Sequence, residues 1–273
     1  MKSQWIKIVL FASVFVFLYA CSKNNGAQDI LNKARESYSQ KDYQQATALI
    51  DSIGKQYPKA FTEIKAGMAL LDSVRRGENE MTIRICDSLL ITNNSALESL
   101  KKQFVYKKDK EFDDIGIYYP KEIYSTSLPQ NSMLRSAVNE KGEMYIESMF
   151  VGSRKHNQLA VITKDGSKAE TVRETNDGLN YSFIHSGRGY ETIRFTEMTD
   201  NGVIRFISDN ADKPMSAQLK GKATDSYTLS QNMKSGIVKT YKLKQLITRQ
   251  DSLNQEREKS IFKIEYLDGR SKQ

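Results

Sequence analysis

From Met133 onward the apolar residues fall at alternate positions, and the runs they form are separated by turns too short to contain a helix. Met133–Asn139 and Met144–Phe150 flank Glu140-Lys141-Gly142-Glu143, and Leu159–Thr163 and Ala169–Glu174 flank Lys164-Asp165-Gly166. Tyr181–His185 and Tyr190–Met198 flank Ser186-Gly187-Arg188-Gly189. Asn176-Asp177-Gly178 supplies a further turn, and Asp200-Asn201-Gly202 leads into Val203–Ser208, which extends the strand-like series. Alternation with glycine-bearing turns specifies antiparallel hairpins. Parallel pairing needs a crossover of a dozen or more residues, usually helical, and no such segment separates these strands. The spacing therefore predicts an antiparallel β-meander domain over residues 110–230.

On either side the period lengthens to three and four, which places apolar residues on one face of a helix. Residues 29–109 read as helical, and 231–273 as a C-terminal helix with a tail, so the expected class is α+β. Leu31, Ala34 and Tyr38 precede a polar break at Ser39-Gln40-Lys41-Asp42; Tyr43, Ala46, Leu49, Ile50 and Ile53 follow, and Tyr57-Pro58 closes the stretch. This pattern resembles one tetratricopeptide helical hairpin, with Lys41-Asp42 at the turn where that family usually has Gly. A single such unit does not bury its own face; about three are normally needed. The face continues through Phe61, Ile64, Met68, Leu71 and Val74. Arg75-Arg76-Gly77 predicts an interruption, and Thr92-Asn93-Asn94 a turn with Ser95 as N-cap, so degenerate hairpins are expected. Phe104 ends the last helical face. Cys86 lies among apolar positions, as a small buried hydrophobe would. In the C-terminal segment Ser230 is a candidate N-cap, and Met233, Ile237 and Tyr241 form one stripe with Lys234, Lys239 and Lys242 off it. Beyond Asp251 the chain is polar, with Ile261, Ile264 and Leu267 left for a short packed piece.

The N-terminus carries an address. Lys2 and Lys7 precede the uncharged run Ile8–Ala20, which has the length of a signal-peptide core and falls short of the ~20 residues that span a bilayer. The run ends Leu18-Tyr19-Ala20-Cys21. This resembles the lipobox of bacterial lipoproteins, with Tyr19 bulkier than the usual small residue. The resemblance covers residues 1–21 and implies that 1–20 are a signal peptide. It also implies that Cys21 becomes a lipidated N-terminus followed by a tether to residue 28. Several acyl chains on one Cys give stable anchoring, because each buried methylene contributes about 0.8 kcal/mol and one chain alone binds marginally. The implied location is the bacterial cell envelope, on the outer membrane or a periplasmic leaflet. With Cys21 acylated, Cys86 is alone and the fold must rely on packing without an internal disulfide.

Composition excludes more than it identifies. With 39% hydrophobic and 27% charged residues, 15 Gly and 4 Pro, the chain is neither collagen-like nor low-complexity. The formal charge of +8 is concentrated in the helical parts, where Lys101, Lys102, Lys107, Lys108 and Lys110 cluster. Lys101, Lys102, Lys107 and Lys108 form a candidate basic contact patch for anionic lipid headgroups, the alternative being a solvated face. Nucleic acid is not an expected partner outside the cytoplasm. His156 and His185 are the only histidines, so no metal site and no cofactor are expected. Ser52 with Lys55, Ser208-Asp209-Asn210 and Lys234-Ser235-Gly236 follow the motif order of the penicillin-recognising enzymes. The short interval from Ser208 to Lys234 and the helical setting of Lys234 set that similarity aside. His185 and Ser186 are adjacent at a hairpin and would point to opposite faces. Asp113, Asp114, Glu143 and Glu147 are the carboxylates a hydrolase reading would use, although a chain with 33 acidic residues has such pairs by chance. The tyrosines and phenylalanines of the β-region suit core and cross-strand packing, or stacking on a sugar or peptide.

No catalytic residue is expected on this reading. The first expectation is an envelope lipoprotein acting as a binding or scaffolding module for a protein or glycan partner. A cell-wall or glycan hydrolase is the second, and an assembly subunit docked through the basic C-terminal helix the third.

Overall fold

A short polar break separates the first two helices because the chain caps the second one locally. The computed structural model describes residues 26–109, 111, 113–174 and 180–271. Helix α1 spans 26–39 and α2 Tyr43–Gln56. Between them Lys41 takes a positive φ of 63°, and the Asp42 carboxylate accepts the Gln45 N–H at 3.0 Å, satisfying one orphan donor of α2. Helix α3 follows over Phe61–Lys101.

Two expectations for α3 fail. Gly77 does not interrupt it, and Thr92-Asn93-Asn94 is not a turn. A Cβ on Gly77 would lie 2.7 Å from the Tyr43 ring, so the glycine serves close approach of α2. The Asn93 amide, 3% exposed, donates to the Leu246 carbonyl at 3.0 Å and to Gln250 Oε1 at 2.8 Å. Those tertiary bonds offset the low helix propensity of asparagine. Ser95 accordingly lies inside the helix and caps nothing. Where a further degenerate hairpin is expected after α2 there is thus one 41-residue helix.

Phe104 belongs to a strand. β1 is Phe104–Lys107, β2 Ile117–Pro120, β3 Met133–Asn139 and β4 Met144–Val151. β5 is His156–Thr163, β6 Lys168–Glu170, β7 Tyr181–His185 and β8 Arg188–Thr196. The strand expected at Val203–Ser208 is instead helix α4, Val203–Asp209. Asp200 accepts the Ile204 N–H at 3.1 Å and opens the helix, and Val203, Ile204 and Ile207 share its buried face. β9 is Met215–Gly221, β10 Thr224–Thr228, and α5 runs unbroken over Gln231–Ser271.

Every strand pair is antiparallel. The strands form a six-stranded sheet, β1-β2-β3-β4-β8-β7, and a four-stranded sheet, β10-β9-β5-β6. The fold is α+β, with N-terminal helices, antiparallel β-structure and a C-terminal helix. Predicted turns hold: Gly142 donates to Asn139 O at 3.0 Å with φ 81°. Ser186 and Gly187 both take positive φ, the two-residue turn whose twist matches a hairpin. Asn176-Asp177-Gly178 lies outside the described residues.

The chain divides into two compact units, Leu90–Leu253 and the remainder, so α3 and α5 each contribute to both. In the helical unit Ala27, Leu31, Ile53 and Ala60 form one buried cluster and Ala34, Ala46, Ile50 and Val74 another. The small alanines let α1 and α2 close on one another. Cys86 is buried. Phe61 and Met68, expected on the packed face, are mostly exposed. Arg76 pairs with Asp268, and Arg257 Nε with Asp87 Oδ1 at 2.6 Å, joining α3 to the end of α5.

In the β-unit one core gathers residues of both sheets with Leu97, Leu100, Ile237, Leu243 and Ile247. Ser230 Oγ accepts the Met233 N–H at 3.2 Å, capping α5 as expected. Ile237 is fully buried, and Met233 and Tyr241 pack partly buried against the core. Lys234 departs from expectation: it is buried, and its Nζ donates to the carbonyls of Ala211 and Lys213, each at 2.9 Å.

Candidate ligand-binding cleft

Gly221 at the end of β9 opposes His156 at the start of β5. A Cβ there would overlap the Lys155 carbonyl oxygen, so glycine permits the close approach of the two strands. A register shift between His156 and Gln158 follows, leaving Asn157 as the extra residue. The four-stranded sheet is stitched to the six-stranded one at this point. Glu191 Oε2, on β8, accepts the His156 backbone N–H at 2.8 Å and lies 2.6 Å from His156 Nδ1. His156 Nε2 lies 2.8 Å from Ser148 Oγ on β4. The Phe150 ring meets the imidazole edge-on, with centroids 6.2 Å apart.

Above this stitch lies a cleft of about 620 Å³. Lys155, Arg173 and Lys222 bring three cations to it, and none forms an ion pair among the described residues. Asn157 and Asn180 also line it. Among the described residues Asn157 Oδ1 and Asn180 Oδ1 are buried without a hydrogen-bond partner. Tyr181 forms part of the wall and begins an aromatic strip. Its ring is near-parallel to that of Phe183 (6.2 Å between centroids, 12° between planes), and Phe183 to that of Tyr190 (5.3 Å, 16°). All five residues of β7 are exposed, and β7 is an outer strand of its sheet.

Ser148, His156 and Glu191 have the hydrogen-bond order of a nucleophile, a base and an orienting acid. Access decides otherwise for this conformation: Ser148 is 0% exposed and is not among the residues lining the cleft. The chain of bonds braces the two sheets and fixes the cleft floor, to which His156 and Glu191 contribute.

No family model, curated protein or solved structure matches this chain. The site therefore has to be read from its own geometry.

The residues singled out from sequence do not meet in this cleft. Cys21, with the whole signal and tether to residue 25, lies outside the described residues, as do Phe112 and Lys110. Among the described residues no helix is long and apolar enough to cross a membrane, and no group of three or more His, Cys, Asp or Glu comes together to hold a metal. The basic patch lies at the end of α3 and along β1. Lys101 bonds Glu98 at 2.9 Å and sits 5.8 Å from the Tyr118 ring centroid. Lys107 lies 6.0 Å from the Tyr124 ring centroid, and Lys108 pairs with Glu140 at 3.5 Å. The Lys102 carbonyl accepts from Lys121 Nζ at 2.8 Å.

The sequence-picked carboxylates are dispersed. Asp113 Oδ2 accepts the Asp109 N–H within its own loop, with Asp114 next to it in that loop. Glu143 takes the Asn139 amide in the β3–β4 turn. Glu147 is held between Arg135 (3.2 Å) and Arg194 (2.8 Å), with the Arg194 guanidinium 4.0 Å from the Tyr145 ring centroid. Burial opposes the Arg194 charge, yet Tyr145 and Glu147 hold its pKa above the ordinary value. Burial likewise pushes the Tyr145 phenol well up. A further cleft of about 330 Å³ adjoins this cluster, lined by Arg135 and Glu147, which are paired with one another. Ser52 hydrogen-bonds the Leu49 carbonyl of its own helix at 2.7 Å.

Sequence reading missed Ser148, His156 and Glu191 as a group, and Lys155, Arg173, Asn157 and Asn180 altogether. Their partnership depends on β4 pairing with β8 and on β5 crossing to the other sheet, and no local spacing encodes either.

Proposed function

We propose that the chain is a lipid-anchored protein of the bacterial envelope that works by binding, and that its β-unit holds a glycan in the cleft beside Tyr181. The anchor rests on the pattern Leu18-Tyr19-Ala20-Cys21. The glycan reading rests on one observation: amide oxygens without a partner among the described residues and the Tyr181 ring share a single cleft. Sugar hydroxyls are donors for Asn157 and Asn180, and a pyranose presents C–H groups to an aromatic ring. The volume falls within the ~300–1,000 Å³ usual for small-ligand sites.

A glycan array of neutral, uronate and sulfated oligosaccharides, probed with the full chain in detergent, tests this. Wild type should retain a subset of sugars, and Tyr181→Ala with Phe183→Ala should lose them with unchanged circular dichroism. Retention of none, or retention unaffected by both substitutions, would contradict it.

The hydrolase reading has a specific observation in its favour, the Ser148–His156–Glu191 chain, and a specific one against it, the complete burial of Ser148. The assembly reading is weakened because basic residues of α5 are engaged within the chain. Lys239 pairs with Glu122, Lys244 with Glu197 and Arg257 with Asp87.

A further inference from the structure

We infer that the sugar held in this cleft is anionic, bearing a carboxylate or a sulfate, with Lys155, Arg173 and Lys222 as its counter-ions. The inference rests on the glycan reading above and narrows it to a chemical class. Three cations facing one cleft repel one another, and each lacks a carboxylate partner among the described residues, whereas many other bases of the chain have one. Glu174 and Glu191 also line the cleft, so three cations face two carboxylates there, and Glu191 Oε2 is turned to the His156 backbone N–H and imidazole instead of to a Lys or Arg. The excess of positive charge around the cleft is an electrostatic cost that an anion reduces.

The neutral lining fits the same ligand. Asn157 Oδ1 and Asn180 Oδ1 accept but do not donate, so they take hydroxyl protons and turn away an anionic oxygen. The cleft thus offers Lys and Arg side chains to an anion and amide oxygens to hydroxyls. Tyr181 supplies a face between solvent and cleft. An acidic peptide offers the anion but few hydroxyls; a neutral sugar offers hydroxyls but no anion.

Calorimetric titration of the full chain in detergent tests this with four sugar probes and a poly-glutamate peptide as control. These are trigalacturonate and its trimethyl ester, and a κ-carrageenan tetrasaccharide and its desulfated form. At least one acidic probe should bind tenfold or more tighter than its neutral counterpart, and that advantage should shrink at high salt. Whichever acid binds identifies carboxylate or sulfate as the source of the charge. Lys155→Ala, Arg173→Ala and Lys222→Ala together should abolish the difference between acid and neutral forms; all three side chains are exposed, so folding should be unaffected. Equal binding of acidic and neutral forms, lost in Tyr181→Ala, would overturn the anionic inference and leave the glycan reading standing. An unchanged acid preference in the triple variant would also overturn it. Binding of none of the four would overturn it too, and with an empty array the glycan reading would fall with it. Binding of a poly-glutamate peptide in place of the sugars would replace both.

Discussion

A carboxylate that accepts two hydrogen bonds gives up its charge reluctantly, and Glu140 is such a group. It accepts the Gly116 N–H at 2.9 Å and the Tyr106 hydroxyl at 2.8 Å, and its pKa is lowered, chiefly by the Gly116 bond. The same Glu140 bond pushes the Tyr106 phenol up to about 12. The signs fix a window. The Glu140 contribution is present above the ordinary glutamate value and is lost as pH falls through the lowered one. The Tyr106 contribution is present below the ordinary tyrosine value and is lost as pH rises through about 12. Glu140→Gln should therefore bring the Tyr106 titration down toward its ordinary value of about 10, as followed by the ring carbon resonances; an unmoved titration would refute the bond. The His156 brace makes a second test at this scale. Ser148→Ala leaves a buried imidazole nitrogen without its partner and should cost about 1–3 kcal/mol of stability, measured by urea unfolding. Ligand retention should survive it, since Ser148 does not line the cleft.

Among the elements, α5 carries the clearest prediction. Ile237 is fully buried in the core shared by both sheets. Ile237→Asp removes roughly 1.5–3 kcal/mol of burial and adds a buried charge, a large share of the ~5–15 kcal/mol that stabilises a domain. A drop of several kcal/mol in the β-unit's unfolding transition is expected, and an unchanged melting temperature would show that the stripe does not dock. That stripe was legible from its spacing, as were the hairpins, because turn chemistry and periodicity are local. What misled was equally physical. Gly77 resembles a breaker but is needed for the Tyr43 contact. Thr92-Asn93-Asn94 resembles a turn until the Asn93 amide finds Leu246 and Gln250. Lys234 lies off the stripe by its spacing, and nothing local foretells its burial, because its two carbonyl acceptors come from the segment after α4. Val203–Ser208 alternates poorly, and the Asp200 bond to Ile204 decides for helix. The division of the described strands into two sheets, and with it the cleft, depends on long-range pairing that periodicity does not carry.

At the scale of the whole molecule two properties should travel together, an anchored N-terminus and a cleft that retains its ligand. Cys21→Ala should abolish acyl labelling and leave an unprocessed precursor; labelling and processing as in wild type would refute the lipobox reading. Trp5 is the only tryptophan and precedes Cys21, so mature protein isolated from its membrane should show tyrosine fluorescence alone. Tryptophan emission would mean that the signal is kept. The central claim is retention without turnover, and mass spectrometry of the bound sugar tests it most directly. The oligosaccharide retained by wild type on the array should be recovered intact after prolonged incubation, in the same amount from Ser148→Ala. A shortened or deacylated product that forms with wild type and not with Ser148→Ala would contradict the claim and make the buried chain of hydrogen bonds a catalytic one.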